Sequence, residues 1–358
     1  MPLNIYAGPS AMRRIEQEGF RAGLFSHVLG ASGGPKWFVL AGIDRVLFPE
    51  FFANSTKPMN VIGSSVGAFR AACYVQQDPL AAINRLAECY SETVYSAKPK
   101  ATEITTKARE LIDYVMGPEG VMDVLTNQRV KLHVIAARCH GLMQHYGRYR
   151  QMVGLGLSAA ANAMKRQWLQ KLYTRSVFFA PNSKLTITDP YHLATEFIEL
   201  GYNNIKDALL ASGSIPLVLT GVEHVVAAPV GMYRDGGIID YHFDLSFGPD
   251  KGLVLYPHFY PHAIPGWFDK GLKRRIPHAA SFDNVVMLVP SEDFIASLPY
   301  GKIPDRKDFE TMDAPSRIKY WQRVISESDR LGECFVDVYQ SGSIMDVIRP
   351  LPFLCKAS

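Results

Sequence analysis

Ser65 lies in Gly63-Ser64-Ser65-Val66-Gly67, the G-x-S-x-G spacing of a nucleophile elbow. Such an elbow turns a strand sharply into a helix, and small residues two positions either side of the serine let the strained turn close. The strain would hold the hydroxyl clear of the backbone, at the carboxyl end of the strand. The flanks suit this: Asn60-Val61-Ile62 reads as a short apolar strand, and Ala68 to Val75 is a good helix former. Spacing selects Ser65 over Ser64 as the nucleophile. Far downstream, Asp235-Gly236-Gly237 interrupts a strand pattern. The triplet reads as a hairpin turn or as an acid at a strand end, with glycines that let backbone approach a nucleophile.

A second glycine cluster, Ala31-Ser32-Gly33-Gly34-Pro35-Lys36, follows a buried-strand candidate at His27-Val28-Leu29-Gly30. It is not a phosphate-binding loop, because Pro35 and Trp37 flank Lys36 where glycine and a hydroxyl residue are needed. Nor does it have the dinucleotide G-x-G-x-x-G spacing. It is either a plain tight turn or an oxyanion hole. In the second case the amides of Gly33 and Gly34, at the start of a helix, would face the carbonyl held by Ser65. Pro35 suits the first turn of that helix, which is expected from Trp37 to Phe48. Residues 27–67 then form one βαβ unit with parallel strands.

The elements around these motifs follow from pattern. A short helix is expected over 10–20 with Ser10 as its N-cap, and others over Leu80–Tyr90, 101–116, Gly154–Tyr173, Ile205–Ala211 and from Pro304 to Arg330. Strands are expected at Lys131–Ala137, Arg175–Ala180, Leu253–Tyr256 and Val285–Val289. The helix at Gly154–Tyr173 reads as a packed helix with a solvated face.

Composition narrows the function. The chain has 358 residues, 47% hydrophobic and 20% charged, which suits a globular protein with a large core. A net charge of +4 does not argue for nucleic acid and is mildly favourable toward anionic membranes. Five cysteines (73, 89, 139, 334 and 355) without C-x-x-C argue for a reducing compartment. With no signal-peptide pattern and no apolar run long enough to span a bilayer, the expectation is a soluble cytoplasmic chain, any membrane contact being peripheral. A single domain over 1–358 is expected, since no linker or repeat divides it.

Histidines offer competing chemistry. His258 and His262 are flanked by prolines and lack the glutamate of a zinc-protease helix. Asp240, His242 and Asp244 would share one face of a strand, either as a metal site or as a polar strand edge. A Ser-His-Asp triad remains open, with His242 or His258 following Asp235, although few strands precede the elbow for such a fold.

The order of glycine loop, G-x-S-x-G and distant Asp-Gly-Gly resembles the patatin-like phospholipases over roughly residues 25–240, as does the small-residue segment Ala211 to Pro216. The resemblance implies an α/β/α sandwich around a mainly parallel sheet, with a serine–aspartate dyad that cleaves acyl esters of lipids and uses no metal or other cofactor. It implies Ser65 as nucleophile and Asp235 as base, with Gly63, Gly67, Gly236 and Gly237 as motif glycines. Gly33, Gly34 and Lys36 fall on the oxyanion loop, with the Val66 amide as a further donor. Ser32, Pro35 and Trp37 depart from that family's loop, which runs three glycines, any residue, a basic residue and glycine. The expected partner is a phospholipid or other lipid ester. The alternatives are a general carboxylesterase with a triad, or a membrane- or protein-binding module on this scaffold. The stretch 256–275 is the candidate membrane surface: Tyr256, Phe259, Tyr260, Trp267 and Phe268 would enter lipid beside Lys270, Lys273, Arg274 and Arg275. The other reading is that these aromatics cover the core.

Overall fold

The computed structural model describes residues 1–249 and 252–354, so Cys355 lies outside the described residues. In chain order the strands are β1 (Leu3–Ala7), β2 (Phe25–Gly30), β3 (Met59–Ser64), β4 (Val130–Cys139), β5 (Tyr173–Phe179), β6 (Thr186–Thr188) and β7 (Thr195–Glu199). They continue with β8 (Val222–Glu223), β9 (Met232–Asp235), β10 (Ser246–Gly248), β11 (Leu253–Pro257), β12 (Val285–Pro290) and β13 (Ile348–Pro350). Eleven of them form one sheet, ordered β13-β1-β12-β11-β2-β3-β4-β5-β7, with β9 on β4 and β8 on β9; β6 and β10 pair separately. From β12 through β11, β2 and β3 to β4 every pairing is parallel. Helices cover both sides of this mixed, mostly parallel sheet.

Burial on both faces explains the strand sequences. Phe25–Gly30, Leu253–Pro257 and Val285–Pro290 are buried at every residue, as strands flanked by helices on both sides must be. The periphery is different: β7 and β13 expose alternate or successive residues at the two ends of the order. Two strands there, β1 and β13, are not among those expected from the sequence.

Several boundaries differ from expectation. The first helix runs Pro9–Glu18 with Gly8 as N-cap, while Ser10 donates its hydroxyl to Asp283 at 2.6 Å. The helix after the glycine loop begins as a 3-10 segment, Gly34–Leu40, before turning α-helical at Ala41–Val46. Pro35 sits in its first turn as expected. The helix expected at Gly154–Tyr173 is Arg148–Met164 followed by a 3-10 turn at Arg166–Lys171. The last expected helix is divided into Asp308–Thr311 and Ala314–Glu327, and Asp329–Ser341 follows. Asp313 caps the second of these through the Ser316 amide, which is why the helical path breaks there. The four described cysteines, Cys73, Cys89, Cys139 and Cys334, are free thiols.

Candidate active site

β4 is longer than its neighbours, and one of its edges serves two partners in succession. β3 runs parallel to it as far as the pair Ser64 with Ile135. β9 takes over from the opposite direction, starting at the pair Asp235 with Ala136. β5 occupies the other edge over the same stretch. The two strands therefore meet head to head, and their carboxyl ends bring Ser65 and Asp235 together.

At that meeting point the Ser65 hydroxyl donates to Asp235 Oδ2 at 2.8 Å. Ser65 has φ 56° and ψ −133°, a strained conformation for a residue with a side chain, and is immediately followed by the helix Val66–Val75. The sharp turn is possible because strand, turn and helix pack without side chains between them. A Cβ on Gly67 would overlap the carbonyl of Gly30, and one on Gly63 would overlap the Gly67 carbonyl and the Ala68 amide. Gly30, at the end of the expected strand β2, is the surface against which the elbow helix closes.

Asp235 is held from three directions. Its amide donates to the Ser214 carbonyl at 2.9 Å, its Oδ1 accepts from the Gly237 amide at 2.7 Å, and its Oδ2 accepts from Ser65. Only 7% of Ser65 and 7% of Asp235 is exposed. Burial pushes the Asp235 carboxyl up to about 6, against the bonds from Ser65 and Gly237 and the nearby Arg306 and Lys270 charges, which favour the anion. The result is a carboxylate that is mostly ionised at neutral pH and more basic than a solvated aspartate.

The glycine loop stands beside this pair. β2 and β3 are parallel with Gly30 opposite Gly63, so the loops that follow them leave the sheet at one level. Gly34, with φ 56°, starts its 3-10 segment, and Val66 starts the elbow helix. The first amides of a helix have no acceptor within it. Gly33, Gly34 and Val66 therefore supply candidate donors from two adjacent loops. Ser32 bonds inward instead: its amide donates to the Tyr241 carbonyl at 3.1 Å and its hydroxyl to the Ser64 hydroxyl at 3.0 Å. Lys36 forms an ion pair with Asp305, and burial beside Arg306 lowers its ammonium to about 8. Lys270 lies 3.9 Å above the Tyr241 ring, and its ammonium is lowered to about 8 by desolvation and the nearby Lys36 and Arg306, though the residue keeps an exposed face. Cationic groups thus lie near the Ser65–Asp235 pair.

The histidines are engaged elsewhere. His242 Nδ1 accepts from the Ile264 amide at 3.0 Å, and His258 Nδ1 meets the amide and carbonyl of Tyr260 at 3.0 and 2.7 Å. Their rings are buried 4.3 Å apart, and burial holds His242 well below the usual imidazole range and His258 at about 3. Asp240, His242 and Asp244 do not share a strand face. Asp240 pairs with Arg175 and Asp244 accepts from His278. Among the described residues no group of three or more His, Cys, Asp or Glu side chains could hold a metal.

The expected membrane stretch also divides differently. Tyr256 belongs to β11 and is fully buried, and Phe259 is fully buried against the glycine loop, where a Cβ on Gly33 would come within 2.6 Å of its ring. Trp267 and Phe268 are half-buried under the helix Arg148–Met164. These aromatics cover core, as the second reading held.

Supporting residues outside the motifs were harder to foresee. Arg70 on the elbow helix forms a two-pronged bond with Asp44, 2.7 Å on each side, and Tyr74 also donates to Asp44. All of Arg70 and Asp44 is buried. The pair fixes the elbow helix to the helix that continues the glycine loop.

No family model and no curated protein matches the chain. Among solved structures, the crystal structure of VipD from Legionella pneumophila is matched with 13% identity and a TM-score of 0.30 over 72% of this chain; the chain spans about half (53%) of that one. A score this low does not establish a shared fold. The class defined by the molecule itself is an α/β protein with a strained serine bonded to a buried aspartate.

Proposed function

We propose that this chain is a serine acyl hydrolase in which Ser65 attacks an ester carbonyl and Asp235 takes its proton. The observation that carries this reading is the direct 2.8 Å bond from the Ser65 hydroxyl to a carboxylate whose pKa is raised by burial to about 6. Amides of Gly33, Gly34 and Val66 stabilise the tetrahedral oxyanion. As the carbon–oxygen bond to the alcohol breaks, protonated Asp235 gives that proton to the leaving oxygen, and the acyl group stays on Ser65. Water, deprotonated by Asp235, then releases the carboxylic acid and restores Ser65. A fatty-acyl ester of a lipid is the substrate class, in keeping with the patatin-like order of motifs. The chain acts as one catalytic domain, because a single sheet draws strands from Leu3 to Pro350.

A fluorophosphonate probe tests the assignment. It should label wild-type protein at Ser65 and fail on Ser65→Ala, and Asp235→Asn should slow labelling by about 10³-fold or more. His242→Ala and His258→Ala should keep Ser65 labelling within a few-fold. Loss of labelling in a correctly folded histidine variant would favour a triad. Labelling of Ser64 would refute the nucleophile.

A further inference from the structure

The helix Arg148–Met164 is built inside out. Its buried residues are Gln151, Gly154, Ser158 and Asn162. Every polar side chain among them is bonded: Gln151 to the Tyr146 carbonyl at 2.9 Å and the Leu217 amide at 3.0 Å, Ser158 to the Tyr173 hydroxyl at 2.8 Å, and Asn162 to Asp269 at 2.6 Å. Leu155 packs on the core, but the other large apolar side chains point outward. Tyr149 is 80% exposed, Met152 53%, Leu157 53% and Met164 72%, with Val153 between them. At 100° per residue these positions, with Gly156 and Ala160, fall on one continuous side of a helix about 25 Å long. A water-facing helix normally shows the reverse arrangement.

Charge along the chain segment that carries this face has one sign. From Gln151 to Met164 the helix carries no charge, while Arg148 and Arg150 precede it and Lys165 and Lys171 follow. No Asp or Glu occurs anywhere between Asp123 and Asp189. The basic run that follows Phe268 adds to the carboxyl-terminal end: Arg274 and Arg275 donate to the Ala163 and Asn162 carbonyls, each at 2.7 Å, and Lys273 beside them is exposed. A protein partner would need a large acidic-rimmed apolar surface to match this; a bilayer bearing anionic lipid offers apolar depth and negative headgroups together.

We infer that the exposed face of Arg148–Met164 is a membrane-docking surface, lying flat on a bilayer that contains anionic lipid. Tyr149, Met152, Leu157 and Met164 enter the acyl boundary, and Arg150, Lys165 and Lys273 meet the headgroups. The surface is tied to the candidate site: Gln151 holds the Leu217 amide, and Ser214, three residues earlier, accepts the bond that fixes the Asp235 backbone. The inference stands on binding alone and does not require the chain to hydrolyse anything.

Vesicle sedimentation decides it, using phosphatidylcholine vesicles with and without phosphatidylglycerol. Wild-type protein should bind the anionic vesicles, with affinity falling at least about tenfold when salt is raised from roughly 50 to 500 mM. Met152→Ser with Leu157→Ser should lower binding at least about tenfold, as should Arg150→Glu with Lys165→Glu. Tyr114→Ser, an exposed aromatic on another helix, should leave binding unchanged. Thermal melts and sedimentation velocity on each variant control for folding and self-association. Wild-type protein that does not sediment with anionic vesicles overturns the inference, as does equal binding by both double variants. A wild-type dimer dispersed by Leu157→Ser would assign the face to a second copy of the chain and overturn it equally.

Discussion

The Ser65 amide donates to the Ser212 hydroxyl at 2.9 Å, and that hydroxyl donates onward to the Ile135 carbonyl at 2.6 Å. Ser212 lies at the end of the helix Ile205–Gly213 and is fully buried. It thereby fastens the strained elbow to β4. Ser212→Ala would leave a buried amide and a carbonyl without their partner, at a cost of about 1–3 kcal/mol. Fluorophosphonate labelling should slow by a larger factor than the melting temperature shift alone would imply, because the amide orients the nucleophile. Unchanged labelling with unchanged stability would show that the bond is incidental.

The buried base sets a pH profile. Asp235 must be ionised to take a proton, so kcat/KM for a soluble ester should rise through about pH 6 to a plateau. Ser65→Ala removes a bond that favours the anion, so the Asp235 carboxyl should titrate higher in that variant. Carboxyl carbon NMR of labelled aspartate measures both. An Asp235 titration at or below the ordinary 3.8 would contradict the burial argument.

Stability should run the opposite way. Because the folded protein holds the Asp235 proton more tightly than the unfolded chain, this residue favours folding most below pH 3.8, and that contribution is lost as pH rises through about 6. Asp235→Asn should therefore raise stability at pH 8, by an amount on the order of 2–3 kcal/mol at most, while abolishing turnover. Denaturant titrations at pH 4 and 8 should show the gain growing with pH.

The two loop glycines should fail for different reasons. Gly34→Val forces a branched side chain into φ 56° and should cost at least about 1–2 kcal/mol. If its amide is an oxyanion donor, kcat falls a further 10²–10³-fold or so. Gly67→Ala places a methyl group on the Gly30 carbonyl and should cost about 3 kcal/mol, with little folded protein recovered. Wild-type kinetics in Gly34→Val would reduce the loop to a turn.

Arg70→Met should be costly although Arg70 bonds to Asp44 and Tyr74 rather than to the Ser65–Asp235 pair. It strands Asp44 as a buried carboxylate, typically a loss of 3–5 kcal/mol or so. The double variant Arg70→Met, Asp44→Leu should recover much of the stability. Urea melts of the single and double variants give the coupling directly.

The parts of the site that were legible in the sequence are those whose geometry is local. Gly63, Ser65 and Gly67 announce a turn because its sterics act within five residues, and Asp235-Gly236-Gly237 marks a strand end for the same reason. Strands β2, β3, β11 and β12 were readable as apolar runs. Ser212 and Arg70 were not, because their partners Ile135 and Asp44 are distant in sequence and each residue type is common. Hydrophobic periodicity found the helix around Gly154 but not its orientation: a stripe of apolar residues does not say which side meets the core. That side is decided by Asp269, Tyr173 and the Leu217 amide, which demand polar neighbours. The aromatics of 256–275 left two readings open for a related reason, and burial decides between them: Tyr256 continues a buried strand and Phe259 packs on Gly33.

The head-to-head arrangement of β3 and β9 on β4 has a consequence for biosynthesis. Ser65 and Asp235 are 170 residues apart in sequence, yet Ser64 and Asp235 stand opposite Ile135 and Ala136, neighbouring positions of β4. Such contacts close late in folding, because the loops between them must be ordered first. A nascent chain that has formed its elbow still lacks the acid. On the proposed mechanism, reactivity toward an ester is thus withheld until β9 docks. Recovery of probe labelling during refolding should accordingly trail the return of helical signal, making Ser65 chemistry a reporter of complete assembly.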